Sequence, residues 1–128
     1  MIRYYGEKLP GNQPSESAEM KTFFNIVRRD YPEIGAVAVH IRNEGQRNIR
    51  QTQAQKAEGM VKGAADIMIP GAPAFVCEMK SQSKSARVSP EQIAYLEAAS
   101  HLGAFVCVAY GHEAAIEAMR EWMDARAR

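Results

Sequence analysis

Residues 63–80 read GAADIMIPGAPAFVCEMK, and this stretch decides the fold of the chain. It contains two short apolar runs separated by Pro-Gly-Ala-Pro at 70–73, a quartet that supplies the turn chemistry to reverse the chain. The pattern therefore predicts two paired antiparallel strands. Asp66 lies in the first strand, and Glu78 and Lys80 lie in the second.

The charged residues of this hairpin are expected to converge. Side chains alternate along a strand, so Glu78 and Lys80 share one face. A turn near Gly71 sets Asp66 opposite either Cys77 or Glu78, and only the second register points both carboxylates the same way. We predict the Glu78 register, which requires an odd-length loop or a bulge. Because converging carboxylates repel each other unless a hard divalent cation lies between them, the pair indicates a metal site.

Length and composition indicate one ordinary globular domain. The chain has 128 residues, of which 46% are hydrophobic and 24% charged. We expect an extended arm at 1–13 and a single domain at 14–128. No run is long and apolar enough to span a membrane, and the first residues do not resemble a signal peptide, so we expect an intracellular, cytoplasmic protein. Cys77 and Cys107 lie in apolar runs and are expected to be buried free thiols.

The N-terminal half predicts a helix followed by a strand. Ser15 is a favourable N-cap for a helix to about Asp30. Gly35 to Ile41 alternates and predicts a strand, with His40 under a helix, where a structural histidine is more common than a ligand. Residues 46–58 are polar and helix-prone without an apolar stripe, and we expect them to be mobile, or ordered only when nucleic acid or a partner is bound. The buried stripe of the first helix is predicted to be Met20, Phe23, Phe24 and Val27.

The C-terminal half predicts a βαβ unit. Ser-Pro-Glu-Gln at 89–92 is a capping box, so its glutamine amide is expected to fold back to the cap. The helix ends before Gly103, and Ala104 to Tyr110 is predicted to be a strand. A strand, a crossover helix and a strand form a βαβ unit, so this strand should lie parallel to that of Glu78. The periodicity from Glu113 to Ala125 predicts a last helix.

Positive charge flanks the hairpin in sequence, although the net charge is only +1. Residues 42–62 contain five cations against two acids, and the loop after Lys80 adds two cations without an acid. For any single cation a solvated loop is the more ordinary role, but this distribution suits a phosphate backbone near the hairpin. The candidate DNA-binding residues are Arg42, Asn43, Arg47, Arg50, Lys56, Lys62, Lys84 and Arg87.

An aspartate followed after a short gap by Glu-x-Lys is the pattern of the PD-(D/E)xK nuclease superfamily. The chain resembles the VRR-NUC family of that superfamily more widely, from about residue 14 to the last helix, notably at 31–33, 40–47, 58–66, 77–80, 87–92 and 109–111. That family usually has proline before the aspartate, where this chain has Ala65; the proline only stiffens the strand, so the chemistry is unaffected. The resemblance implies an α/β fold with a restriction-endonuclease-like core, a mixed four-stranded sheet flanked by helices.

The hairpin acids and lysine supply a hydrolytic site. Two carboxylates suffice for Mg²⁺ or Mn²⁺, which prefer oxygen ligands and keep several waters. We assign them to Asp66 and Glu78, and the resemblance adds the backbone carbonyl of Met79. Lys80 is placed to orient or deprotonate the attacking water, or to offset charge in the transition state. A salt-bridged sheet edge is the alternative for this trio.

The resemblance alone implies two further site residues. In the family a glutamate near the start of the first helix reaches the metal site, and Glu16 matches its spacing better than Glu19. The helix macrodipole favours acids in a first turn anyway. A glutamine at the place of Gln92 faces the catalytic lysine in the family. We expect this role and the capping role to exclude each other, because one rotamer would have to fill both.

The resemblance implies a metal-dependent, structure-selective DNA endonuclease. Stand-alone members of this size look like phage or bacterial proteins that form dimers resembling Holliday junction resolvases, and symmetric cutting of a junction requires a homodimer. We therefore expect a homodimeric hydrolase acting on branched DNA inside a bacterial or phage-infected cell. Two alternatives stay open, namely a nuclease fold that holds branched DNA without cutting it and a restriction-type endonuclease that reads a short duplex sequence.

Overall fold

The computed structural model describes residues 1–42 and 49–126, which form one mixed sheet flanked by helices. The strands lie in the order β1-β5-β4-β3-β2; β1, β5 and β4 are parallel, and β3 and β2 complete the sheet in antiparallel pairs. The predicted α/β class is confirmed. The elements are β1 (Arg3–Tyr5), α1 (Glu16–Asp30), α2 (Pro32–Gly35), β2 (Val39–His40), α3 (Ile49–Ala57), β3 (Ile67–Ile69), β4 (Phe75–Lys80), α4 (Pro90–His101), β5 (Phe105–Tyr110) and α5 (His112–Arg126).

The sheet has five strands, so the predicted count of four is wrong. The additional strand is β1, which lies within the segment expected to be an extended arm and pairs in parallel with β5. Leu9 extends this contact through a parallel bridge to Ser83. Three residues are too few to carry a periodic apolar pattern, so only the long-range pairing with β5 identifies this strand.

The central hairpin has the predicted register. Ile67 pairs with Cys77, so the ladder, continued by one residue, sets Asp66 opposite Glu78. The loop between β3 and β4 comprises residues 70–74, which gives it the odd length that this register requires. Cys77 and Cys107 are both buried free thiols, as predicted.

Helices cover both faces of the sheet. α1 and α5 pack on one face, where Phe23 and Trp122 are fully buried. α4 packs on the other face, where Leu96 joins a smaller cluster with Val76 and Val106. The start of α1 is as predicted, since the Ser15 hydroxyl accepts a hydrogen bond from the backbone N–H of the third helical residue at 3.0 Å. All four residues of its predicted stripe are buried: Met20, Phe23, Phe24 and Val27.

The remaining helices agree with the patterns that predicted them. The capping box of α4 is formed by Ser89 and Gln92, and α5 buries Met119 and Trp122. α3 supplies the helix expected within 46–58, of which residues 46–48 lie outside the described part of the chain. None of the described helices is long and apolar enough to cross a membrane.

The predicted strand from Gly35 to Ile41 is wrong over most of its length. Its start is occupied by the short helix α2, which has a proline at its first position, a placement that favours a new helical turn. Only Val39 and His40 pair with β3, at the edge of the sheet. The apolar alternation does not mark a buried face, since Val37 and Val39 are 47% and 49% exposed.

Gly63 allows the chain before Asp66 to contact the first turn of α4. Its φ is +84°, a conformation that glycine adopts most readily, and a Cβ there would lie 2.5 Å from the carbonyl oxygen of Glu91. The backbone that approaches Gly63 is therefore that of α4 in the same chain.

We predict that Gly63→Ala lowers the free energy of unfolding more than Gly59→Ala does. Both glycines have positive φ, but a Cβ at Gly59 meets nothing within 4 Å. Both variants should be destabilised because alanine is strained at positive φ. The free energy of unfolding of Gly63→Ala should fall by on the order of 1–3 kcal/mol more, because its Cβ overlaps α4. Chemical denaturation of the two variants measures this difference. Equal losses would show that the contact with α4 adds nothing.

Candidate active site

Three acids from three elements converge at one end of the sheet. Asp66 immediately precedes β3, Glu78 lies in β4, and Glu16 is the first residue of α1. One carboxylate oxygen of each residue lies within 4.8 Å of those of the other two. The structure therefore brings together the hairpin pair and the helix acid that the sequence suggested, and their role as metal ligands stays a prediction.

Glu19 does not join this cluster. It is 4% exposed, and its Oε1 lies 2.7 Å from Nδ1 of His112, the first residue of α5. A Cβ at Gly111 would lie 2.8 Å from the other carboxylate oxygen of Glu19, so this side chain is packed against the start of α5. The two candidate acids of α1 therefore have different surroundings. Glu16 faces the other carboxylates, and Glu19 connects α1 to α5.

Glu78 is the most strongly perturbed acid of the site. It is 1% exposed, and among the described residues its Oε1 has no hydrogen-bond partner. Burial, and next the negative charge of Asp66, raise the pKa of Glu78 to about 9, against the opposing effect of Lys80. Burial also raises the pKa of Asp66, although the Met79 N–H donates to its Oδ2 at 3.1 Å. Two crowded carboxylates thus favour a proton or a cation between them.

Lys80 and Gln92 both contact Glu78. Nζ of Lys80, which is 8% exposed, lies 3.7 Å from Oε2 of Glu78. The amide Nε2 of Gln92 donates to the same oxygen at 3.0 Å, while its Oε1 accepts from the backbone N–H of Ser89 at 2.8 Å. One rotamer of Gln92 therefore caps α4 and contacts Glu78, whereas the role expected of it toward Lys80 stays a prediction. An amide has a donor end and an acceptor end, and one rotamer uses both.

His40 lies at the site, contrary to its predicted place under a helix. It is exposed and lines a cleft of about 540 Å³ together with Glu16, Asp66 and Gln92. The proximity of its imidazole slightly opposes the rise in the pKa of Asp66. Its position depends on the short pairing of β2 with β3, which the sequence pattern did not resolve. Lys21, which sequence reasoning passed over, lines the same cleft.

The predicted DNA-binding residues lie in three regions. Arg42 lines the cleft, and Lys62 lies 3.8 Å from Glu91 in the first turn of α4. Arg50 and Lys56 are exposed on α3. Contact with DNA stays a prediction for all of them. The loop after β4 carries Lys84 and Arg87, whereas Asn43 and Arg47 lie outside the described residues.

A solved structure described as a VRR_NUC domain protein has the same fold. The two chains superpose with a TM-score of 0.74 and 19% sequence identity, over 91% of this chain and 92% of the other. No protein-family model matches the sequence, and no curated protein matches it either. The class that the fold defines is therefore a VRR-NUC-like α/β domain. The predicted restriction-endonuclease-like core is confirmed, with five strands in place of four.

We predict that Glu78→Gln stabilises the metal-free protein at pH 8. Because the folded-state pKa of Glu78 is raised to about 9, the folded protein keeps a proton that the unfolded chain releases. The free energy of unfolding should therefore fall as the pH rises from about 5 toward 9. In the variant, the free energy of unfolding should change much less over this pH range. At pH 8 it should exceed that of the wild-type protein by on the order of 1–3 kcal/mol. Denaturation in chelator across this range measures it, and an unchanged pH profile would contradict the assignment.

We predict that Gln92→Glu destabilises the metal-free protein more at pH 8 than at pH 5. The variant keeps an acceptor for the Ser89 N–H but replaces the donor to Glu78 with an oxygen. Ser89→Ala is the matched control, since it removes the cap without touching Glu78 and should cost about 1 kcal/mol at both pH values. Denaturation at the two pH values separates these effects. A pH-independent loss in both variants would show that Gln92 acts only as a cap.

Proposed function

We propose that this protein is a divalent-metal-dependent deoxyribonuclease that hydrolyses phosphodiester bonds. The supporting observation is the convergence of Glu16, Asp66 and Glu78 within 4.8 Å, with the Lys80 ammonium 3.7 Å from Glu78. A cluster of acids around one buried carboxylate, that of Glu78, opposes its own ionisation, which is common at catalytic sites and costly elsewhere. The fold of a VRR_NUC domain protein agrees with this reading.

The donor set fits a hard divalent cation such as Mg²⁺ or Mn²⁺. All three side chains offer oxygen, and the buried Oε1 of Glu78 has no hydrogen-bond partner among the described residues. Asp66 and Glu78 would hold the ion with Glu16 beside them, and the Met79 carbonyl is the further donor that the family resemblance suggests. Such an ion, when bound, supplies Lewis acidity toward the scissile phosphate and the attacking water.

The chain's own residues orient the reacting groups. Gln92 holds the Glu78 carboxylate through the hydrogen bond from Nε2, so the rotamer of this acid is fixed before substrate binds. Lys80 is buried at the end of β4, where its ammonium can hydrogen-bond the attacking water and offset the charge that develops on the phosphate. Its nearness to Glu78 keeps the ammonium directed at the site.

We propose branched DNA as the substrate and a homodimer as the active form. The cleft is open and is lined by Lys21 and Arg42, which suits a phosphate backbone. One described carboxylate cluster per chain cuts one strand at a time, so paired cuts in a four-way junction need two copies. The resemblance to stand-alone VRR-NUC proteins supports the same substrate class.

We predict metal-dependent cleavage that is lost in Glu78→Gln and Lys80→Met. The assay uses matched linear duplex, flap, splayed and four-way junction DNAs of unrelated sequence, with Mg²⁺, Mn²⁺ or chelator. Each variant should lose at least about 100-fold in rate, because each removes a group that acts on the reacting atoms. Glu97→Gln, which removes an exposed acid of α4, is the matched control and should cleave normally.

The outcomes distinguish the proposed function from its rivals. Undiminished cleavage by both site variants would contradict the mechanism. Paired symmetric nicks in the four-way junction would support the dimeric enzyme, and cutting that follows sequence instead of shape would favour a restriction-type enzyme. A wild-type protein that binds branched DNA but cuts none with either metal would be a binding module.

A further inference from the structure

A second surface lies beside Lys80 on the same face of the sheet. The β4–β5 ladder pairs Lys80 with Tyr110, so the two side chains point to the same side. On the outer neighbour β1, Tyr4 pairs with Val108 and points to that side as well. Tyr4 is 57% exposed, although it lies in a strand. Two tyrosines therefore extend the active-site face toward the β1 edge.

Three cations lie near the Tyr110 end of this surface. Nζ of Lys8 lies over the ring of Tyr110, 5.8 Å from its centroid. The next residue, Leu9, donates its N–H to the Gln82 carbonyl at 2.7 Å, so Lys8 lies beside the loop that carries Lys84 and Arg87. In agreement, partial desolvation, and then the charges of Arg87 and Lys84, lower the pKa of Lys8. Within residues 1–42 and 49–126, no ion pair joins any of the three to a carboxylate. We name Tyr4, Tyr110, Lys8, Lys84 and Arg87 the basic platform.

The segment that carries Lys8 is fixed by backbone contacts. Gly6 has a φ of +74°, and a Cβ there would lie 2.7 Å from the carbonyl oxygen of Tyr110, so only glycine permits this close turn over the end of β5. Beyond it, the Leu9 N–H donates to the Gln82 carbonyl at 2.7 Å, and the Gln82 side chain donates to the Glu7 carbonyl at 3.1 Å. These bonds connect the N-terminal segment to the loop that follows the catalytic strand.

The loop that carries the other two cations is also ordered by its own contacts. Nη1 of Arg87 donates to the carbonyls of Lys84 and Ala86 at 2.8 and 2.9 Å. The platform therefore combines positive charge with an exposed aromatic ring on two segments joined by hydrogen bonds.

We propose that the basic platform binds a single-stranded segment of the DNA substrate. Lys8, Lys84 and Arg87 would hold phosphates, and the exposed ring of Tyr4 would stack on an unpaired base. Base pairs in a duplex are already stacked on each other, so an exposed ring adjacent to cations favours an unpaired strand over duplex. This inference rests on the proposed function, and it predicts that branched substrates with a single-stranded arm, such as flaps and splayed ends, bind more tightly than a fully paired four-way junction.

The experiment measures binding of fluorescent single-stranded and duplex DNA by anisotropy in chelator, where the proposed hydrolysis cannot occur. Tyr4→Val keeps the β propensity of the strand and removes the ring, so it should weaken single-strand binding about 10-fold and leave duplex binding within about twofold. Lys8→Ala should lower the slope of log Kd against log salt for single strands by about 0.7. Arg29→Ala is the control of equal charge change, because Arg29 is exposed and paired with Asp30 at the far end of α1.

The outcomes separate this inference from the proposed function. If the wild-type protein fails to cut DNA, but Tyr4→Val weakens its binding of single strands, the proposed role of the basic platform would be supported. The proposed nuclease function would be wrong. If the wild-type protein cuts DNA with metal as expected, and Tyr4→Val and Lys8→Ala both bind single strands as Arg29→Ala does, the proposed role of the basic platform would be wrong. The proposed nuclease function would be unaffected. Equal losses for single strands, duplex and poly-glutamate would show a general anion surface and would also overturn the proposal.

Discussion

The rest of the structure depends on the register that sets Asp66 beside Glu78. This pairing forces two carboxylates together at the end of the hairpin, where burial and mutual repulsion raise the pKa of Glu78 to about 9. The surrounding donors all contact one of these two carboxylates. The Met79 N–H donates to Asp66, and the Gln92 amide and the Lys80 ammonium contact Glu78. A site so arranged costs stability that the remainder of the fold must supply.

The apolar core on the face of the sheet opposite to Glu78 supplies that stability. There α1 and α5 bury large side chains such as Phe23, Phe75 and Trp122 completely. The site itself lies where two helices begin, since Glu16 is the first residue of α1 and Gln92 is in the first turn of α4. Helix N-termini carry partial positive charge, so both ends favour an anionic ligand near the carboxylates. This arrangement suits a site that combines a cation with a phosphate.

The two proposed nucleic-acid surfaces lie on opposite sides of β4, the strand that carries Glu78 and Lys80. Arg42 lines the cleft beside β2, whereas the basic platform lies over β1 and β5. Because β1 and β2 are the two edges of the sheet, a substrate that contacts both would cross β4 between them. A branched DNA satisfies this geometry when its duplex occupies the cleft and its unpaired arm follows the platform.

Local and periodic features were determined by the sequence alone. The turn at 70–73 and the apolar runs beside it predict the hairpin, because both are short-range properties of the chain, and the convergence of the two carboxylates selected the register of Asp66 with Glu78. The Ser15 cap and the capping box of α4 follow from the same kind of local hydrogen bonding. These patterns were sufficient to predict the α/β fold and the hairpin half of the site.

Features that depend on contacts between distant segments became visible only in the tertiary structure. The family spacing favours Glu16 and leaves Glu19 as the alternative, and the packing of α1 against α5 places only Glu16 with the carboxylates. His40 lies in the cleft because β2 is a two-residue edge strand, not the longer buried strand that alternation suggested. β1 is too short to show a period and forms because β5 offers a free edge. Periodicity reports local burial, whereas pairing partners and side-chain neighbours are set by the whole chain.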